Sequence, residues 1–245
     1  MKQFMNRFKP IGITILACLL FFTSIGAGVY LDKPLLNNIF ASDNPTKEIV
    51  NNNTQPNINV TYSLALTDKN GKVTYQSPQI QSHSYVIAMA DWLFSMCGNT
   101  TLIGGDLNVS STIVVMTAED DMIIPCGIGT TTQGIILGTS QTTPSITDYK
   151  IGTIIPNSAS AVSGDMYYQA TTVGVPQTSS GSRSFTFTRI IQNNSGASIT
   201  VYELAVYGHN GVGSTFCIIH DTISGGFAVP NGKNLTVVYT ISVTT

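Results

Sequence analysis

The residues able to do chemistry are few. His220-Asp221 is the only adjacent acid–base pair, and Glu119-Asp120-Asp121 is the only acidic cluster. Adjacent residues on a strand point to opposite faces, so His220 and Asp221 need distant partners to act together, and no Gly-x-Ser-x-Gly elbow supplies a serine. Glu119, Asp120 and Asp121 could offer oxygen ligands to calcium, but they lack the alternating spacing of a cation loop and read first as a solvated turn. No metal or cofactor is therefore expected. His83 beside a helix start and His209 in Gly208-His-Asn-Gly211 read as a cap neighbour and a loop residue. Tyr167, Tyr168, Tyr202 and Tyr207 could form a glycan-binding platform, or serve as ordinary strand residues.

The cysteines carry no metal pattern. Cys18 lies in the apolar N-terminal run, leaving Cys97, Cys126 and Cys217, an odd number without Cys-x-x-Cys spacing. An oxidising compartment allows one disulfide, Cys126 with Cys217; the alternative is three buried apolar thiols. Asn-x-Ser/Thr sequons fall at Asn52, Asn59, Asn99, Asn108, Asn193 and Asn234, about what an Asn- and Thr-rich chain produces by chance.

Only 10% of the 245 residues are Asp, Glu, Lys or Arg, and the net charge of −2 leaves no footprint for nucleic acid. Lys2, Arg7 and Lys9 precede an uncharged run from Pro10 to Leu31, long enough for an export signal or a membrane span. The positive flank stays in the cytoplasm in either case. Ile15-Leu-Ala-Cys18 is similar to a lipoprotein cleavage site, although the apolar run continues past it. The predicted organisation is a signal peptide or anchor over 1–31 and an Asn/Thr/Pro-rich linker over 32–58. A leader hairpin with a buried helix follows over 59–125, then a β-sandwich domain over 126–245.

The elements follow from periodicity. Val60–Thr67 and Lys72–Gln76 flank Asp68-Lys-Asn-Gly71, a hairpin signal because Asn and Gly both accept positive φ. Tyr85–Met96 predicts the one helix of the folded part, capped by Ser82 or Ser84 and stopped by Gly98. It is apolar nearly all round, so Trp92 is expected to be largely buried. Beyond it, strands are expected at Leu107–Val109, Ser111–Thr117, Met122–Pro125, Gly134–Gly138, Asp165–Val173, Ser184–Gln192, Ser198–Tyr207, Thr215–His220 and Leu235–Val243. Pro144–Tyr149 predicts a helical turn capped by Ser145. The fold class is all-β, a sandwich or jelly roll, with one buried helix and an N-terminal apolar helix. Ser184–Tyr207 predicts a hairpin turning at Asn194-Ser-Gly-Ala. Its register sets Arg189 opposite Glu203 as a partly buried ion pair that fixes alignment.

The stretch from Gly127 to Thr245 resembles a β-domain of phage and prophage virion structural proteins of tail or fibre type. The resemblance rests on Gly127-Ile-Gly129, Gly138-Thr-Ser and Ser145-Ile-Thr-Asp-Tyr-Lys150; on Ser184-Phe-Thr-Phe-Thr-Arg189, Asn193-Asn-Ser-Gly196 and Ile199-Thr-Val-Tyr-Glu203; and on Val229-Pro-Asn-Gly232 with Leu235-Thr-Val-Val-Tyr-Thr-Ile-Ser242. His220 precedes Asp221 where such proteins often carry Arg, and an N-terminal apolar segment is added. The resemblance implies a structural or adhesive role and carries no catalytic residue. The expectation is a non-enzymatic protein of a virion or cell surface, secreted or held on the outer face of a membrane by residues 10–31. Its expected partners are its own copies or other structural proteins. A secreted carbohydrate-binding module and a secreted hydrolase are the alternatives.

Overall fold

The computed structural model describes residues 57–82, 85–98, 106–114, 122–211 and 213–244. They lie in one compact unit, Thr54–Thr245, so the expected boundary between 125 and 126 falls inside a single body. Residues 1–56 lie outside the description, and with them the expected signal or anchor and most of the linker. Among the described residues no helix is long and apolar enough to cross a membrane.

The fold is all-β, with antiparallel strands and one described helix. The strands are β1 (Asn57–Thr67), β2 (Val73–Gln76), β3 (Ile80–Gln81), β4 (Asp106–Leu107), β5 (Ile113–Val114), β6 (Gly134–Gly138), β7 (Tyr167–Val173), β8 (Gln177–Ser179), β9 (Ser182–Gln192), β10 (Ile199–His209), β11 (Thr215–Val229) and β12 (Asn234–Thr244); the helix is α1 (Ile87–Gly98). A seven-stranded sheet runs β2-β1-β12-β9-β7, with β3 beside β1 and β8 beside β9; a three-stranded sheet runs β11-β10-β6. The leader strand β1 pairs with β12 over its whole length, from Asn57↔Thr244 to Thr67↔Asn234. Residues from both sheets fill one apolar cluster, including Val60, Tyr62, Leu64, Leu137, Val201 and Val237.

The β1–β2 hairpin forms where expected, by a different turn. Gly71 N–H donates to Asp68 O at 2.9 Å, and the Asp68 carboxylate accepts the Asn70 and Lys72 amides at 2.9 and 3.0 Å. Gly71 alone takes positive φ, at 79°, so Asn70 needs no left-handed backbone. Asn108 and Asn210 build the same turn: each side chain accepts the amide four residues on, from Thr112 at 3.0 Å and Ser214 at 2.7 Å.

The expected hairpin of β9 with β10 does not form. β9 pairs with β12, β7 and β8, whereas β10 pairs with β11 and β6, so the chain crosses from one sheet to the other at 193–198. Each strand has an apolar face, and setting the faces against each other buries both. Side by side in one sheet, they would need a third layer to cover them. Gly196 still turns the chain, at φ 90°. Asn193, 0% exposed, holds the crossing: its Nδ2 donates to Ala197 O at 2.8 Å and Val229 O at 2.6 Å, and its Oδ1 accepts from the Ser195 amide and hydroxyl. The Asn193 sequon is therefore closed to a glycan. Asn52 and Asn99 lie outside the described residues, while Asn59, Asn108 and Asn234 are partly exposed.

The helix starts at Ile87, later than expected. Tyr85 instead bridges Ile219, and Val86 N–H donates to Ile218 O. Ser82 is no cap; its hydroxyl donates to Asp221, and Ser84 is not described. Trp92 is partly buried against a second apolar cluster of Val86, Ile136, Ala205, Tyr207 and Phe216. Ile87 is 45% and Leu93 37% exposed, so α1 buries one side and the expectation of all-round burial does not hold.

Replacing Asn193 by Ala removes one donor from each of the Ala197 and Val229 carbonyls and the acceptor of the Ser195 amide and hydroxyl. The expected cost is about 1–3 kcal/mol, because buried hydrogen bonds are lost while Ser195 and Ser198 hydroxyls still reach the two carbonyls at 3.0 and 3.4 Å. Chemical denaturation checks it, and a loss under about 0.5 kcal/mol contradicts the role assigned to Asn193.

Candidate functional site

Among the described residues, the buried ionisable side chains Arg189, Glu203, His220 and Asp221 lie at three places. The first is Arg189, 0% exposed on β9. Its Nε donates to Gln169 O at 2.8 Å, one terminal nitrogen to Gln133 O at 3.2 Å and Ile135 O at 2.8 Å, and the other to Thr130 O at 2.6 Å. The guanidinium lies 4.7 Å from the Tyr168 ring centre. Four main-chain carbonyls and one aromatic face replace the carboxylate expected as partner. A shift in the β7–β9 register between Tyr168 and Thr171 loosens the ladder around Gln169, whose carbonyl the Nε takes. Burial lowers the affinity of the guanidinium for its proton, while nearby Cys126 and Tyr168 oppose that shift.

Glu203 sits elsewhere because β10 changes phase. Ile199 and Val201 face the seven-stranded sheet, but the register with β11 jumps between Val201↔Phe227 and Glu203↔Thr222. Beyond the jump Leu204 and Val206 take the inward positions, and Ala205 and Tyr207 join the cluster on the other side of the sheet. Glu203 goes with them. The predicted Arg189–Glu203 pair is thereby corrected: the two belong to different sheets, and a bulge turns Glu203 away.

The second place is that outer side. His220 Nδ1 lies 2.7 Å from Asp148 Oδ2, and its Nε2 lies 3.4 Å from Glu203 Oε1. The imidazole is 1% exposed, Glu203 0% and Asp148 21%. Glu203 Oε2 accepts the Gly152 amide at 3.2 Å, and Tyr207 OH accepts the Ile151 amide at 2.9 Å. Asp148 is held in a turn, accepting the Ser145 amide at 2.7 Å. Neither His220 nor Glu203 offers an exposed side-chain atom to a substrate, so this arrangement orders residues 144–152 against the sheet.

The third place is the apolar interior. Asp221 faces it, opposite to His220, and accepts from Ser82 Oγ at 2.8 Å and Tyr239 OH at 3.0 Å. Tyr62 and Tyr85 stand near it; burial first, and the Asp221 charge second, push both phenols up to about 12. The same two causes lead in raising Tyr239.

Cys126 and Cys217 are free thiols, so the disulfide expected between them is absent. They serve different surroundings. Cys126 Sγ contacts Gln133 O at 3.0 Å, near the loop that Arg189 holds, and Cys217 contacts Ile219 O at 3.4 Å in the second cluster. Burial raises the Cys217 thiol far above its ordinary range, as does the negative charge of Asp148. The Cys97 side chain and the Glu119, Asp120 and Asp121 cluster lie outside the description, as does His83. Among the described residues no group of three His, Cys, Asp or Glu is placed to hold a metal. Tyr168 and Tyr207 are both 0% exposed, so the four tyrosines do not make one platform. Sequence reasoning missed Asp148 as the partner of His220; a sequence separation of 72 hides the contact, and the local hint is Ser145 spaced to cap a turn.

Two measurements test these assignments. Arg189→Met should destabilise by about 3–5 kcal/mol, since four carbonyls lose their donors. Arg189→Lys should rescue only part, because an ammonium cannot reproduce the fork. A denaturant midpoint unchanged in both variants would remove Arg189 from this role. Alkaline stability should fall in a defined window. Both folded and unfolded chains keep neutral phenols well below the ordinary value of 10.0; above it the unfolded chain loses protons that Tyr62 and Tyr85 retain up to about 12. The denaturation midpoint should therefore drop between these values, and Tyr62→Phe should flatten the drop.

No protein-family model, no curated protein and no solved structure matches this chain.

Proposed function

We propose that this chain is a non-enzymatic structural or adhesive component of a virion or cell surface, built as a two-layer β-sandwich that associates through one sheet face. The outer face of the seven-stranded sheet carries the reading. Val60, Tyr62 and Leu64 of β1 point into the core with Leu235, Val237 and Tyr239 of β12 and Phe187 and Ile191 of β9. Alternation turns their neighbours outward, and the register aligns these in rows: Thr61–Thr240–Thr186, Ser63–Val238–Thr188, Ala65–Thr236–Ile190. No charge interrupts the rows. Thr and Val on a flat strand surface suit packing against another sheet, and the absence of charge leaves no like-charge repulsion when the occupant is a second copy.

The burial of His220, Glu203, Arg189 and Tyr207 supports an interior use of these groups over catalysis. Burial of Tyr168 and Tyr207 weighs against a sugar platform. The resemblance of Gly127–Thr245 to phage virion β-domains is the ground for a structural or adhesive role, and the apolar stretch 10–31 behind its positive flank is the ground for export.

Sedimentation and negative-stain imaging of the purified chain test the assembly. Oligomers, filaments or rings are expected, and Thr61→Lys with Thr188→Lys should disperse them with little change in thermal midpoint, since both side chains face outward and they are not cross-strand partners. A monomer at high protein concentration contradicts the proposal.

A further inference from the structure

The strap formed by residues 144–152 is fastened to three elements at once. Ile146 O accepts the Ile87 amide at the start of α1, at 2.8 Å. Asp148 meets His220 of β11 at 2.7 Å. Ile151 and Gly152 amides donate to Tyr207 OH and Glu203 Oε2 of β10, at 2.9 and 3.2 Å. Under it lies the second apolar cluster, where Ile151 is 1% exposed and Ala205, Tyr207 and Phe216 are 0%.

One contact in this set depends on a single proton. His220 Nε2 and Glu203 Oε1 are buried, lie 3.4 Å apart, and have no other hydrogen-bonding partner among the described residues. Asp148 Oδ2 already takes the Ser145 amide and faces the other imidazole nitrogen. A neutral imidazole has one N–H, so it can serve Asp148 or Glu203 but not both. The nitrogen left bare then presents a lone pair to a carboxylate oxygen. An imidazolium donates to both, and each bond is charge-assisted.

We propose that Asp148, His220 and Glu203 form a proton-controlled latch, holding the strap closed while His220 carries two N–H protons and loosening it when one is lost. The other titratable groups around the imidazole are Tyr207 of β10 and Cys217 of β11, both neutral and buried. Asp221 faces the opposite side of β11, bonded to Ser82 and Tyr239. On α1 the titratable side chain within the described residues is Asp91, which forms no ion pair among them. On the strap itself Lys150 lies over the Tyr149 ring at 5.3 Å. Opening the strap frees the start of α1 and uncovers the cluster beneath, so the latch makes an apolar face available as pH rises. This inference stands apart from the assembly face, which lies on the other sheet.

Amide hydrogen exchange across 144–152, corrected for intrinsic chemistry, should be read against pH in the full chain, with His220 nitrogen shifts reporting its protonation in the same samples. Strap exchange should rise about tenfold or more as His220 loses its proton, as expected for losing a hydrogen bond between charged groups, while β1 and β12 stay protected. Glu203→Gln can donate an amide N–H to neutral His220 and still accept from Gly152, so its strap should hold at high pH, where the natural strap loosens; at low pH the imidazolium would instead face that amide donor to donor. A strap whose exchange ignores His220 protonation overturns the latch, as does opening at high pH that persists in Glu203→Gln.

Discussion

A guanidinium without a described carboxylate partner is costly to bury, and Arg189 sets the terms for the residues around it. Its fork needs carbonyls that secondary structure has not already used. The chain supplies them by keeping 127–133 irregular, by starting β6 only at Gly134, and by shifting register in β7 next to Gln169. Gly134 is needed for the same reason. It sits at φ 83°, and a Cβ there would strike Thr171 Oγ1 and Cys126 Sγ. Thr171 in turn accepts the Ile135 amide and exchanges main-chain bonds with Cys126. One charged side chain on the seven-stranded sheet thus fixes the loop that leads into the three-stranded sheet, and couples the two where no strand pairing links them.

The second constraint is the bulge opposite Tyr202. β11 carries extra residues there, with Gly225 and Gly226 at φ 77° and 74°, and the Tyr202 ring and Thr200 methyl occupy the space a side chain on Gly226 would need. The phase change gives the three-stranded sheet two buried faces. One packs in the main core, and the other is covered by α1 and by the strap. Glu203 and His220 are consequently buried on the covered face, while Asp221 enters the core. Polar groups that look catalytic in the sequence hold layers and loops together.

Strand identities were largely legible in the sequence, because alternation and turn residues act locally. Gly134–Gly138 was expected with its observed limits, and β9, β10 and β12 within two residues at each end. The turns at Asp68–Gly71 and near Gly196 were marked by residues that accept positive φ or cap their own backbone. The second half of β11 was not legible. Ser224-Gly-Gly226 carries the composition of a turn, yet the chain runs through it as a bulge, with the Tyr202 ring and Thr200 methyl against Gly226.

Composition and periodicity determined that this chain is β-rich, sparing in charge and apolar along alternate positions of each strand. Tertiary structure decided the rest. Alternation says that a face is apolar without saying which other face covers it, so β9 and β10 read equally well as a hairpin or as a crossing between sheets. A single bulge reverses every later side chain, and no local signal fixed its place. Arg189 and Glu203 were therefore recognisable as charges in need of partners. The partners themselves, backbone carbonyls for one and His220 with the Gly152 amide for the other, are set by long-range packing of segments that local sequence cannot join.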